Sequence, residues 1–314
     1  MTSPAPVLPR ATVVICVYTE KRWDDIVAAV GSVLDQDVRA AEVLVVVDHN
    51  PALLERARGV FGEGVRVLPN AHRQGLSGAR NTAVAAASGD VVVFLDDDAA
   101  ARPGLLPSGG PGGDATGELD WVVGCTYTGQ PTEQAEVRNL MGCNMSVRRE
   151  AFARVGGFAE DLGRIGRNPL GCEETELCIR IRQSYRRMGR GARIVFEPAA
   201  QVDHRVSADR VRWAYLRRRS WSEGLSKAAV SRLVGSDDAL STERAYVATV
   251  LPGAVARELR ARRPASALAI VTALAATSAG YLRGKLPGAT SGVRLPVAHA
   301  ADAAVTPARL GGGG

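Results

Sequence analysis

The run Val91-Val92-Val93-Phe94-Leu95 is wholly apolar and ends on three carboxylates, Asp96, Asp97 and Asp98. Like charges at adjacent positions repel, so a folded chain that keeps them must supply an offsetting cation. Residues two apart on an extended chain point the same way, which pairs Asp96 with Asp98 and turns Asp97 elsewhere. Two oxygen ligands paired in this way suit Mg²⁺ or Mn²⁺ shared with a diphosphate. Taken alone, the triplet fits equally well a solvated acidic turn that caps the next segment.

A second acidic group, Glu173-Glu174-Thr175-Glu176, opens a helical pattern that continues LCIRIRQ. The helix dipole favours acids in a first turn and accounts for two of the three. A carboxylate held there beside a sugar site, its pKa raised by burial, could act as general base on an acceptor hydroxyl. Asp48 ends EVLVVVD, where a carboxylate can accept hydrogen bonds from a base or ribose, although acids at strand-to-loop junctions are common for their turn chemistry alone. The stretch from Asn70 to Asn81, NAHRQGLSGARN, supplies Gly75 and Gly78 for close backbone approach, a helix start at Ser77, and Arg80 as a phosphate-capable cation. It matches neither the P-loop nor the dinucleotide fingerprint.

The elements that must position these groups read as alternating strands and helices. TVVICVY, EVLVVVD, VRVLP and VVVFLDDD are short β-branched runs separated by helix-sized segments, the pattern of βαβ units with a buried, mainly parallel sheet. In such an α/β sheet ligands sit beyond the carboxyl ends of the strands, where Tyr18, Asp48 and the Asp96–Asp98 run fall. After Pro103 a Gly and Pro loop follows, expected to be mobile. Further strands are expected at WVVGCTY, NMSV and ARIVFEP, and a long basic helix from Ala208 through Gly224. That helix interleaves Arg210, Arg212, Arg217, Arg218 and Arg219 with Trp213, Tyr215 and Trp221, which suits packing by its aromatics with a solvated basic face.

The chain has 314 residues, 46% of them apolar, enough for a full-sized core. Its 39 Lys and Arg against 33 Asp and Glu give +6, which permits contact with phosphates or an anionic membrane. At 5% aromatics and with no RNA-recognition signature, nucleic-acid binding is not expected. Five scattered cysteines without C-x-x-C spacing point to a reducing cytosol, and MTSPAPVLPR lacks a signal-peptide h-region. ASALAIVTALAATSAGYL, flanked by Arg262, Arg263, Arg283 and Lys285, reaches the lower length of a spanning helix but is only weakly apolar, so a helix packed on the domain or lying at a membrane surface is expected instead.

TVVICVYTE, EVLVVVDHN, GLSGARNTAVAAASGDVVVFLDDDA, NMSVRREAFARVGGF and CEETELCIR, in this order, resemble the successive motifs of family 2 glycosyltransferases with the GT-A fold. The resemblance runs from about Thr12 to Gly224. It implies a Rossmann-like mixed sheet flanked by helices, a nucleotide-sugar donor (usually a UDP-sugar), a divalent metal (Mn or Mg), and inversion at the anomeric carbon during transfer to a hydroxyl acceptor. By position, Asp96 and Asp98 match the D-x-D metal motif, Asp48 the nucleoside-binding acid, and Tyr18 a residue lining the base pocket. Glu174 falls where the family usually has the Asp of a Glu-Asp pair, its catalytic base, with Glu173 and Glu176 as alternatives. His204 matches a position where some GT-A enzymes place a metal-binding His, and Arg80 with Asn81 would support the donor phosphates or sugar. Asp209-Arg210-Val211-Arg212-Trp213 resembles the Q-x-x-R-W motif of processive synthases with Asp in place of Gln, and the several membrane spans of those synthases are missing.

The expected organisation is a tail over 1–10, a catalytic domain over 11–225, a C-terminal helical extension over 226–286 and a tail over 287–314. A cytoplasmic enzyme, with possible peripheral contact at the inner membrane face, follows from these readings. A nucleotidyltransferase would carry a Gly and Lys/Arg-rich loop after the first strand, where this chain reads VYTEKRWDD. The departures at Glu174 and Asp209 keep a catalytically silent nucleotide-sugar binder as the third reading.

Overall fold

The computed structural model describes residues 9–105, 130–165 and 170–287. The strand expected at 121–127, most of the Gly and Pro loop, Cys125 and nearly all of both tails lie outside the described residues, as do 166–169.

Strands with apolar residues at every position can be stable only when covered on both faces. β1 (Ala11–Val17), β2 (Glu42–Val47), β3 (Val65–Pro69) and β4 (Val91–Asp96) pair in parallel in the order β3-β2-β1-β4. β7 (Asn144–Arg148) adds antiparallel to β4, making the sheet mixed. Side-chain alternation splits the core in two. Val13, Ile15, Val45, Val93 and Leu95 pack on one face against Ile26, Val30 and Val33 of α1 (Trp23–Leu34) and Leu53 of α2 (Pro51–Val60). Val14, Leu44, Val46 and Phe94 pack on the other against α3 (Leu76–Ala86), α4 (Arg149–Val155) and α5 (Glu173–Arg187). Each such side chain contributes about 1.5–3 kcal/mol on burial.

Short ladders that alternation cannot reveal complete the frame. β5 (Ala99–Ala101) pairs antiparallel with β9 (Val202–His204), and β6 (Ala135–Glu136) with β8 (Val195–Phe196). The segment from Ala208 is not one helix: a 3₁₀ turn over Ala208–Val211 ends at the extended Arg212, and α6 then runs from Trp213 to Val234. Residue 225, where the boundary is expected, lies inside this helix.

α7 (Leu251–Arg260) and α8 (Pro264–Lys285) follow, and α8 packs along α6. Contact is backbone to backbone: a Cβ on Gly224 would lie 2.0 Å from the Thr277 carbonyl oxygen, and one on Gly280 would lie 2.2 Å from that of Trp221. Gly284 meets Ala228 further along, so the two helices run in the same direction. Gly224→Val should force them apart and cost roughly 1–3 kcal/mol, read as a lowered midpoint in denaturant; an unchanged midpoint would mean that the crossing adds nothing to stability.

Candidate active site

The strand order reverses between β1 and β4, and a cleft of about 190 Å³ opens beyond their carboxyl ends, the place where open α/β sheets bind ligands. Tyr18 stands at the mouth directly after β1, exposed. Asp48, directly after β2, is buried. Its carboxylate accepts from the Gly75 amide at 2.9 Å and from Asn70 Nδ2 at 2.7 Å, and lies 3.0 Å from His49 Nδ1. Gly75 has φ +131, a conformation that side chains resist, and a Cβ on Gly78 would sit 2.0 Å from the Arg73 carbonyl oxygen. The close approach expected of these two glycines is thus to the protein itself, to Ile165 and the Arg164 carbonyl for Gly75 and to the Arg73 carbonyl for Gly78.

Asp96, Asp98 and His204 converge at the floor: one ligand atom from each lies within 4.8 Å of the others. The pairing of Ala99 with His204 in the β5–β9 ladder brings His204 Nε2 to 3.2 Å from Asp98 Oδ1. Two carboxylates and an imidazole are hard oxygen and borderline nitrogen donors, a set that fits a divalent cation. Asp97 turns aside to Arg22, at 2.6 Å, and Arg22 also reaches Asp98 at 3.1 Å, with Arg210 3.6 Å away. These arginines are the offsetting charge that the triplet requires. Burial pushes Asp97 up to about 7 despite Arg22, and burial also raises Asp96 against the pull of Arg80. For Asp98 burial is outweighed by His204, Arg22 and Arg210, which hold its carboxyl below the ordinary value.

Arg80 borders the cleft, yet its guanidinium is engaged by protein. It donates to Glu173 Oε1 at 2.9 Å and to the Gly142 carbonyl at 2.8 Å, lies 3.5 Å from Asp96, and rests against the Phe94 and Phe158 rings. Instead of a free phosphate ligand it is a buried strut joining the end of β4 to the start of α5. Asn81 is not among the residues that border the cleft, and its amide bonds the Phe158 carbonyl and amide, fixing the turn after α4. Arg80→Gln should remove a buried charge partner from Glu173 and cost about 3–5 kcal/mol. Denaturant unfolding checks this; a loss under 1 kcal/mol, roughly the worth of an exposed pair, would contradict the strut.

The three acids of α5 separate cleanly. Glu176, wholly buried, is held by Arg180 at 2.6 and 2.8 Å, and Arg180 in turn donates to the Val155 and Gly157 carbonyls. Glu173 is held by Arg80. Glu174, half-buried, borders the cleft, and burial, with the charge of Glu173 added, pushes its carboxyl up to about 8. Cys172, just ahead of the helix, adopts a left-handed φ of 68, which directs the first turn toward the cleft. From α6, Arg219 borders the same space, while Arg212, Arg217 and Arg218 are exposed outside it. Arg22 and Arg164 border it too and were not anticipated; for Arg22 the signal was the basic pair Lys21-Arg22 in the connection between β1 and α1.

Comparison with known proteins places this arrangement. The family model described as glycosyl transferase family 2 matches residues 12–109. A glucosyl-dolichyl phosphate glucuronosyltransferase of Haloferax volcanii is 30% identical over 256 residues, covering 73% of this chain and 80% of that protein. A probable N-acetylgalactosaminyltransferase 9 of Caenorhabditis elegans is 24% identical over 241 residues, 63% of this chain and 40% of that protein. In fold, the chain is similar to the mannosyltransferase PcManGT of Pyrobaculum calidifontis, solved with GDP-Man and Mn²⁺, at a TM-score of 0.58 and 19% identity over 89% of both chains. With the GT-A architecture and the cleft at its switch point, the chain belongs to glycosyl transferase family 2 and is a glycosyltransferase.

Proposed function

We propose that the chain transfers a sugar, with inversion, from a nucleoside-diphosphate donor of the UDP-sugar type to a hydroxyl on a glycolipid precursor. The observation that carries this reading is that the Asp96, Asp98 and His204 cluster and Glu174, whose carboxyl burial pushes up to about 8, line one cleft. A divalent cation held by the first three would neutralise charge on the diphosphate leaving group. Imidazole in the donor set favours Mn²⁺ over Mg²⁺. Tyr18 and Asp48 would receive the nucleoside, Asp48 through the acceptor capacity left by Gly75 and Asn70. Glu174 would take the acceptor proton as the new bond forms at the anomeric carbon and the bond to phosphate oxygen breaks. Arg210 and Arg219, which border the cleft beside Asp98 and Glu223, would help to steady the departing diphosphate, whose charge grows in the transition state.

Support for the lipid-linked acceptor comes from the Haloferax relative, whose name specifies glucosyl-dolichyl phosphate, and support for a sugar nucleotide with Mn²⁺ comes from the Pyrobaculum complex. The test is thermal stabilisation by UDP, GDP, dTDP and CDP, each with and without Mn²⁺, since a ligand that binds only the folded state raises the melting point. One nucleotide should stabilise strongly and only with Mn²⁺. Absence of any shift would remove the donor and metal assignments together.

A further inference from the structure

α6 presents two faces. Arg219 borders the cleft, while Arg217, Arg218 and Trp221 face away from it and, with Val271, Thr272 and Ala276 of α8, line a groove of about 570 Å³. Among the residues lining this groove two are arginines and none is acidic. Trp221 and Val271 in this groove are exposed large apolar side chains, as are Trp213 and Leu268 on the same two helices. A patch of this composition marks a partner surface.

α8 has the length and mean hydropathy, 1.6, of a membrane-crossing helix, and only 22% of that window is buried within the protein. Its packing forbids a crossing. α8 runs beside α6 with Gly280 on Trp221 and Gly284 on Ala228, so α6 would enter the hydrocarbon with it and carry in Arg217, Arg218, Arg219, Glu223, Lys227 and Arg232. Basic residues at both ends, Arg262 and Arg263 before and Arg283 and Lys285 after, suit a helix whose two ends lie at one depth.

We propose that the α6–α8 face docks flat on an anionic phospholipid surface. Trp213 and Trp221 sit at headgroup level, Leu268 and Val271 dip below it, and Arg217 and Arg218 meet lipid phosphates. Charge complementarity selects the bilayer over a second copy of the chain, because two copies of this face would set arginine against arginine. The helix that borders the cleft through Arg219 is then the one seated on the lipid, so the cleft opens beside the membrane. Binding to lipid needs neither donor nor acceptor, so this inference and the transfer reading fail separately.

The experiment is co-sedimentation of the full chain with vesicles of phosphatidylcholine alone and with about one third phosphatidylglycerol. Wild type should partition onto the anionic vesicles and be released by salt. Arg217→Glu with Arg218→Glu should weaken partitioning at least about 25-fold, at about fivefold for each arginine lost near an anionic surface. Trp221→Ala should weaken it without altering the salt dependence. Melting points in buffer confirm that the variants fold; should a variant fail to fold, the wild-type salt titration stands in its place. Equal binding to neutral and anionic vesicles, no binding, or insensitivity to salt would overturn the proposal, as would a concentration-dependent dimer in light scattering that Val271→Asp dissolves.

Discussion

Glu174→Gln is expected to lower turnover by about 10²- to 10⁴-fold, the range that general base catalysis supplies, while donor affinity stays within about twofold. Glutamine keeps the shape and removes only the proton acceptor. Because burial and Glu173 push Glu174 up to about 8, wild-type turnover should climb as pH rises through that value, and the climb should vanish in the variant. Stability should move the opposite way. The folded carboxyl holds its proton to about 8 whereas the unfolded one releases it near 4.5, so between these values the native state binds more protons and wild type loses stability as pH rises. Glu174→Gln should therefore melt above wild type at pH 8 and converge with it below pH 4.5. Steady-state kinetics and melting curves across pH check both halves, and a variant that loses donor affinity while keeping turnover would remove Glu174 from the base role.

Asp98→Ala is expected to abolish Mn²⁺-dependent transfer, a loss of about 10³-fold or more given the several kcal/mol that a cation contributes to a developing diphosphate. The same variant should lose the Mn²⁺-dependent part of nucleotide stabilisation and keep any metal-independent part, which depends on Asp48 and Tyr18. Arg22, Arg210 and His204 surround Asp98, so its removal takes away the carboxylate that these three side chains share. Titrating Mn²⁺ against activity and against melting point separates loss of the metal from loss of the fold, and near-wild-type dependence on Mn²⁺ would refute the assignment.

The central sheet was readable because strands covered on both faces must carry near-continuous apolar runs, and β1, β2 and β4 do. The positions of Asp48, Asp96 and Asp98 at its carboxyl edge followed from that alone. What escaped were contacts made through space by short or irregular segments. β5 and β9 have three residues each, too few for a period, yet their pairing decides where His204 sits. Arg80 reads as a phosphate-capable cation because sequence carries no sign of its burial between two phenylalanines. Asn81, one position on, points to Phe158, which neither spacing nor residue type announces. The three acids of α5 were equivalent on paper and became distinct only when Arg80 and Arg180 each claimed one.

The three-residue ladder between β5 and β9 also sets an order of events. The four parallel strands are complete by Asp96, so a chain emerging from the ribosome can form them while His204 is still unsynthesised. Asp96 and Asp98 then wait for a partner more than a hundred residues downstream, and closing so long a loop comes late. Because side-chain direction alternates along a strand, a slip of one residue in that last pairing would turn His204 to the opposite face. Nascent chains ending before β9 would thus hold Asp48, Asp96 and Asp98 but not His204, and the three-residue cluster forms only when the β5–β9 ladder closes.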